Sequence, residues 1–283
     1  MSKFLYRSYV ALGDSLTEGL GDFDFEVSRF GSGWADRLAE LFARVAYESG
    51  ENFDYANLAL RGSSVYEILT AQLEDALKLK PDLVTIFAGS NDFMRATNHH
   101  PDMLALFRGA IERLHDAGTH VVLLNTVNPV HLGMFKPLSR KAKAMSELIN
   151  SVAKEYEVPV LDLFSMRDFS QLEMWCDDMV HFSGHGHVRI ANKAAQLLGL
   201  DQGFDELPLA HMKRPDRSPK AVMEWVVRHV IPFFIRRLTG RSSGDGLEPK
   251  HDSYVTLISR EAIRKAAVAR KEQRNQSQTV QRA

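Results

Sequence analysis

Five short runs rich in valine, isoleucine, leucine and aromatic residues, at 9–12, 53–60, 83–88, 121–126 and 159–163, alternate with helix-like patterns at 33–47, 65–79, 103–117, 139–156 and 186–198. Nothing else in the chain restricts its fold as much. A strand, a helix and a further strand at this spacing require crossover connections, which are right-handed and lay the strands parallel. Successive crossovers then cover both faces of the sheet with helices. The expected architecture is α/β: a flavodoxin-like, three-layer α/β/α domain with a five-stranded parallel sheet, spanning residues 1–202. With 45% hydrophobic residues among 283, the chain can fill one such core and still carry an appendage.

That appendage divides in two. Pro208, Pro215 and Pro219 punctuate the stretch after the domain, and 221–238 is an apolar segment edged by Lys220, Arg228, His229, Arg236 and Arg237. Pro232 is placed to kink or divide it. Residues 203–240 are therefore expected to form a helical extension, whose segment 221–238 could pack on the core, mediate self-association or lie on a membrane surface. Residues 241–283 open on an Arg-Ser-Ser-Gly-Asp-Gly linker, hold one short strand-like run at 254–258 and end in polar sequence, as a basic, partly disordered tail would.

Charge and cysteine content narrow the function classes. The net charge of -1 hides an asymmetry: 19 basic and 27 acidic residues precede position 203, against 16 and 9 from there on. An acidic body argues against nucleic acid as the partner. Cys176 is the only cysteine, which excludes an intrachain disulfide and a cysteine-based zinc site and fits a reducing, cytoplasmic setting. The N-terminal residues show no signal-peptide pattern, and no apolar stretch reaches the roughly 20 residues a bilayer span needs.

Chemistry gathers at three places that leave the same edge of the expected sheet. Ala11-Leu12-Gly13-Asp14-Ser15-Leu16-Thr17-Glu18-Gly19 puts Ser15 at the exit of the first strand, where ligands collect in open α/β sheets. A serine hydroxyl needs a positioned base to become a nucleophile. Asp178 lies three residues before His181, so its carboxylate can accept the Nδ1 hydrogen and leave Nε2 to face the serine. Oxyanion donors would come from the Ser15 N–H, from the backbone at Gly62 after the second strand, and from the Asn91 amide after the third. Asp177 lacks the three-residue offset, and Asp14 and Asp92 read as loop-fixing acceptors. No Gly-x-Ser-x-Gly elbow is present.

Gly-Asp-Ser-Leu around Ser15, a glycine at Gly62, Gly-Ser-Asn-Asp around Asn91 and Asp-Met-Val-His ending at His181 together resemble the four blocks of the SGNH hydrolases, the GDSL esterase and lipase family. The resemblance spans roughly residues 8–200 and leaves the tail outside it. It implies a flavodoxin-like fold, no cofactor, no metal and an acyl-serine intermediate. It makes Ser15 the nucleophile, His181 the base, Asp178 its orienter, and Ser15, Gly62 and Asn91 the oxyanion hole. The expected function is a serine esterase acting on a small or lipid-like carboxylic ester. Deletion from Arg241 onward should then leave hydrolysis of a small ester intact.

Two other readings stand beside this one. His181, His185 and His187 with neighbouring aspartates could serve a metal-dependent hydrolase, although Gly184 and Gly186 argue against one continuous helix carrying them. His185 is then a surface loop residue, and His187 caps or packs on the last helix. A non-catalytic binding or membrane-recruitment module would keep the fold and leave the work to the basic segment. Phe23, Phe25 and Phe30 could form a lid over Ser15, with Trp34 in helical packing.

Overall fold

The computed structural model describes residues 6–22, 33–94, 102–129, 138–206, 208, 216, 218–227, 244 and 246–257. In chain order, β1 (Ser8–Gly13) leads into a single turn, α1 (Ser15–Glu18), then α2 (Trp34–Glu48) and β2 (Phe53–Asn57). A helical passage follows as α3 (Val65–Glu67), a π-turn (Ile68–Gln72) and α4 (Leu73–Leu79). Next come β3 (Leu83–Phe87), α5 (Ser90–Met94), α6 (Met103–Asp116), β4 (His120–Leu124), α7 (Ser139–Glu155) and β5 (Val160–Leu161). Two short 3-10 turns precede α8 (Gly184–Leu197), and α9 (Pro219–Trp225) and β6 (His251–Leu257) complete the order.

The sheet runs β5-β4-β3-β1-β2-β6. Its first five strands are parallel, as expected, and the chain winds outward in both directions from β1. Alternation along each strand divides the core. Tyr9 and Ala11 of β1 join one apolar cluster with Trp34, Leu38 and Phe42 of α2 and Ile190 and Ala194 of α8. Val10 and Leu12 face the opposite way, into a cluster with Ile68, Phe107, Ile111, Ile149 and Val152. A period of two on the strands and amphipathic helices on either side thus account for the three layers.

Two expectations need correction. The sheet has six strands rather than five: His251–Leu257 pairs antiparallel with β2, setting Phe53 opposite Leu257 and Tyr55 opposite Val255. The strand-like run near the end of the chain finds its partner on an edge that the five parallel strands leave open, and an open edge readily accepts a further strand. Helix α8 begins at Gly184 and runs through both His185 and His187. Ser183 caps it, and Gly186 packs where an added Cβ would sit 2.4 Å from the Met174 carbonyl oxygen, so this glycine serves close packing instead of breaking the helix.

Of the expected extension, α9 is described, with Met223 and Val227 exposed. The remainder of 221–238, with Pro232, lies outside the described residues, as do the phenylalanines at 23, 25 and 30 and the polar end from Gln273. Among the described residues no helix is long and apolar enough to cross a membrane.

Candidate active site

Ser15 is the first residue of α1, at the carboxyl end of β1, where the winding direction of the sheet reverses and a crevice opens between neighbouring loops. Asp14 caps this turn through Oδ1, which accepts from the Leu16 N–H at 3.0 Å. The strand end is also held from behind. Gln72, buried on the π-turn, accepts from the Gly13 N–H at 2.9 Å and donates to the Gly13 carbonyl at 2.9 Å. A π-turn inserts one residue into the helical ladder and redirects the side chains around it, a device frequent at functional sites. Nothing in the sequence marked Gln72, because an amide in a helical pattern carries no signal of what it will face.

Asn91, at the start of α5, ties three loops together. Its Nδ2 donates to Asp14 Oδ2 at 3.0 Å and to the Ser63 carbonyl at 3.1 Å. The neighbouring Asp92 accepts from the Val65 N–H at 2.9 Å and so fixes the start of α3. Gly62 sits in the turn between these groups with φ of 82°. Glu18 holds the Arg61 N–H at 2.9 Å and pairs with the Arg61 guanidinium, fastening the Gly62 loop to the turn that carries Ser15. The loops expected to share a site are therefore physically joined. To donate to a bound oxyanion, the Asn91 amide would share or exchange one of its two present acceptors.

Asp178 and His181 meet as the spacing required. Asp178 Oδ2 lies 2.6 Å from His181 Nδ1. Its Oδ1 accepts from the N–H groups of Val180 and His181 and from the Cys176 thiol, each at 2.9 Å. Burial alone would raise the Asp178 carboxyl, but the hydrogen bond and charge of His181, together with the Cys176 and backbone donors, hold it well below the usual carboxylate range. It stays ionised and keeps the imidazole in place. Cys176 is pushed far up by burial and by the Asp178 charge, which makes it an inert donor rather than a nucleophile. Asp177 is exposed and stands outside this arrangement.

Among the described residues no hydrogen bond joins Ser15 Oγ to His181. The two ends of the site do feel each other, since His181 favours the charged form of Asp14. Burial nevertheless pushes Asp14 up to about 6, against that influence and the Leu16 hydrogen bond, with Asp92 adding to the rise. Nucleophile-to-base contacts commonly tighten only once substrate is bound.

The other histidines are accounted for by structure. His187 is fully buried in the first turn of α8; its Nδ1 accepts from the Trp34 N–H and its Nε2 donates to the Leu20 carbonyl, both at 3.1 Å. Burial lowers its pKa to about 4 and keeps it neutral. His185 lies on the same helical turn, half-buried, and is not a loop residue. With both nitrogens of His187 and one of His181 occupied, the three do not converge. Among the described residues no three His, Cys, Asp or Glu side chains form a ligand set.

A pocket of about 400 Å³ opens beside His181, lined by residues 18–22, Leu20 among them, and by Arg61, Cys176, Asp178 and Lys250, with more apolar than polar surface. Asp22 forms a fully buried ion pair with Arg37, and its Oδ2 accepts from the Gly33 N–H at 2.8 Å. Lys250 arrives from the end of the chain, just before β6, and donates to the buried Asp36 carboxylate at 2.7 Å. Neither Lys250 nor its contact with Asp36 was visible in the sequence.

Comparison with known proteins identifies the family. The GDSL-like Lipase/Acylhydrolase family matches residues 11–189, and the chain belongs to that family, whose members are hydrolases of ester bonds. Among solved structures, an acetylxylan esterase from Geobacillus stearothermophilus superposes with a TM-score of 0.54 at 19% identity, covering 69% of this chain and 95% of its own. LAE5, an alpha/beta hydrolase enzyme from the metagenome of Lake Arreo, Spain, gives a TM-score of 0.57 at 22% identity over 70% of this chain and 97% of its own. These likenesses show a shared fold. No curated protein matches the chain in sequence.

Proposed function

We propose that the chain is a cytoplasmic serine esterase that hydrolyses a carboxylic ester through an acyl-serine intermediate, with Ser15 as nucleophile, His181 as base and Asp178 as its orienter. The observation that carries this reading is the 2.6 Å Asp178–His181 pair, on the sheet edge where Ser15 begins α1. In the first step His181 Nε2 takes the Ser15 proton as Oγ adds to the ester carbonyl, while the Ser15 and Gly62 N–H groups and the Asn91 amide receive the developing oxyanion. His181 then returns the proton to the departing alcohol, leaving the acyl group on Oγ. Water, deprotonated by His181, attacks that carbonyl and releases the acid and the free serine.

The test is hydrolysis of p-nitrophenyl esters of graded acyl length by the wild type and Ser15→Ala, with and without a chelator. Chelator-insensitive turnover that falls by several orders of magnitude in a folded Ser15→Ala protein is the expected result. Near-native turnover by that variant would overturn the assignment. Metal-dependent turnover surviving the substitution would favour a metallohydrolase, and absence of turnover on every ester would favour a binding module.

A further inference from the structure

The turn that carries Asp178 and His181 closes on Cys176. The Cys176 N–H donates to the His181 carbonyl and its own carbonyl accepts from the Met179 N–H, both at 3.0 Å, and a bridge between Trp175 and Phe182 continues the pairing outward. From this closure the side chain reaches Asp178, and its thiol donates to Oδ1 at 2.9 Å. Gly21, in the loop that follows Ser15, packs against the same place. Its φ is 91°, and an added Cβ would lie 3.2 Å from Cys176 Sγ and 3.0 Å from His181 Cβ. The thiol therefore stands where the nucleophile's loop meets the carboxylate that orients the base.

The donors on Asp178 Oδ1 are not equivalent. The Val180 and His181 N–H groups belong to the turn that Asp178 itself begins, so they fasten the carboxylate to a segment that moves with it. The thiol comes from before that turn, from a residue packed on Gly21, and adds a hold that the turn cannot supply. What it restrains is the rotation of the carboxylate about its own Cβ–Cγ bond. That rotation decides whether Oδ2 stays on His181 Nδ1, 2.6 Å away. A thiol suits the task only while protonated, since a thiolate would repel Asp178. Burial and the Asp178 charge keep the proton on sulfur.

We propose that Cys176 is a positioning residue for catalysis: its thiol, donating to Asp178 Oδ1, holds the carboxylate in the plane that keeps Oδ2 on His181 while the imidazole takes up the serine proton. This rests on the serine-esterase reading above. The Asp178–His181 contact matters most when the imidazole becomes charged, in the transition state, so the loss of the thiol should fall on kcat and leave KM nearly unchanged.

The experiment measures kcat and KM for p-nitrophenyl acetate in the wild type, Cys176→Ser, Cys176→Ala and Ser15→Ala, each with its thermal melt. Cys176→Ala should lower kcat about tenfold, or about 1.4 kcal/mol, near the lower limit for a hydrogen bond to a charged group because pocket water can take the vacated place. Cys176→Ser keeps a hydroxyl donor and should recover most of kcat. A residue that merely packs would give the reverse order, with the apolar alanine above the serine. A folded Cys176→Ala at the wild-type kcat, or Cys176→Ser no faster than Cys176→Ala, overturns the proposal. A second readout needs neither variant to fold. Cys176 is the only cysteine, so the protein has one S–H stretching band, expected at lower wavenumber in the folded wild type than in the same protein unfolded by urea. Coincident bands overturn the proposal as well. A wild type without turnover, or Ser15→Ala as fast as wild type, overturns instead the serine-esterase reading on which the proposal rests.

Discussion

Lys250→Met should unfold this protein at a measurably lower temperature, although the residue lies outside the family match. Asp36 is fully buried in the first turn of α2, with Oδ1 2.7 Å from the Tyr55 hydroxyl and Oδ2 2.7 Å from the Lys250 ammonium. Removing the ammonium leaves an ionised carboxylate in the core with neutral donors alone. Breaking a buried pair in this way costs about 3–5 kcal/mol. The Lys250 side chain keeps 21% of its surface exposed, so water reaches one side of the vacated position, and the lower figure of about 2–4 kcal/mol is appropriate. At about 2–4 °C per kcal/mol for a chain of this size, the melting midpoint should fall by roughly 4–16 °C. Adding Asp36→Asn removes the stranded charge, keeps an acceptor for Tyr55 and should recover most of the loss. Deletion from Arg241 onward removes both Lys250 and β6 and should cost at least as much, because it uncovers the β2 edge as well. Circular-dichroism melts of the four proteins test the reasoning. A Lys250→Met midpoint equal to wild type would show that the pair contributes nothing to stability, and a double variant no more stable than the single would show that the stranded charge is not the cause.

Three further outcomes follow from the same geometry. Asn91→Ala should lower kcat by about 10² to 10³ while the protein stays folded, and an unchanged kcat would remove Asn91 from the oxyanion hole. Gln72→Leu leaves the Gly13 N–H without its acceptor and should cost about 1–3 kcal/mol in urea unfolding, with kcat falling more than KM changes; wild-type stability and kcat together would show that the clamp on Gly13 is idle. Two buried groups oppose each other on acidification. His187, lowered from 6.5 to about 4, contributes stability that is complete above pH 6.5 and is lost as pH falls towards 4, because there the unfolded chain binds the extra proton. Asp14, raised from 3.8 to about 6, acts in the other direction, since below pH 6 the folded protein holds the proton that the unfolded chain releases. Asp14→Asn should therefore lose stability more steeply than wild type between pH 6 and 4, as read from urea midpoints, and parallel profiles would contradict the raised pKa of Asp14.

What the sequence made legible was chemistry that is local or repeated. The five parallel strands were readable because apolar runs and helical periods alternate over the length of the domain. The Asp178–His181 pair was readable because three residues are too few to place those side chains anywhere but together. Where the contact is distant or the local preference is overruled, the reading failed. Glycine at 184 and 186 argued for a break by propensity, yet the Ser183 cap and close packing against Met174 keep the helix running through both histidines. Gln72 looks like any polar residue of an amphipathic helix until the π-turn aims it at Gly13.

The C-terminal strand shows why such a failure has a physical cause. Its run at 254–258 was recognisable as strand-like, but pairing with β2 joins residues some two hundred positions apart, and no local pattern encodes that choice. The informative residue was Asp36. It sits in the first turn of α2, fully buried on the face that packs beneath Tyr55, where an unpaired carboxylate is untenable. A charge at such a position implies a cation brought from elsewhere in the chain, and the only question is which. Lys250 answers it, and in doing so reaches the pocket beside His181. The contact that keeps Asp36 from being a stranded charge thus comes from beyond the family's boundary, so the stability of the family domain should respond when Lys250 is changed.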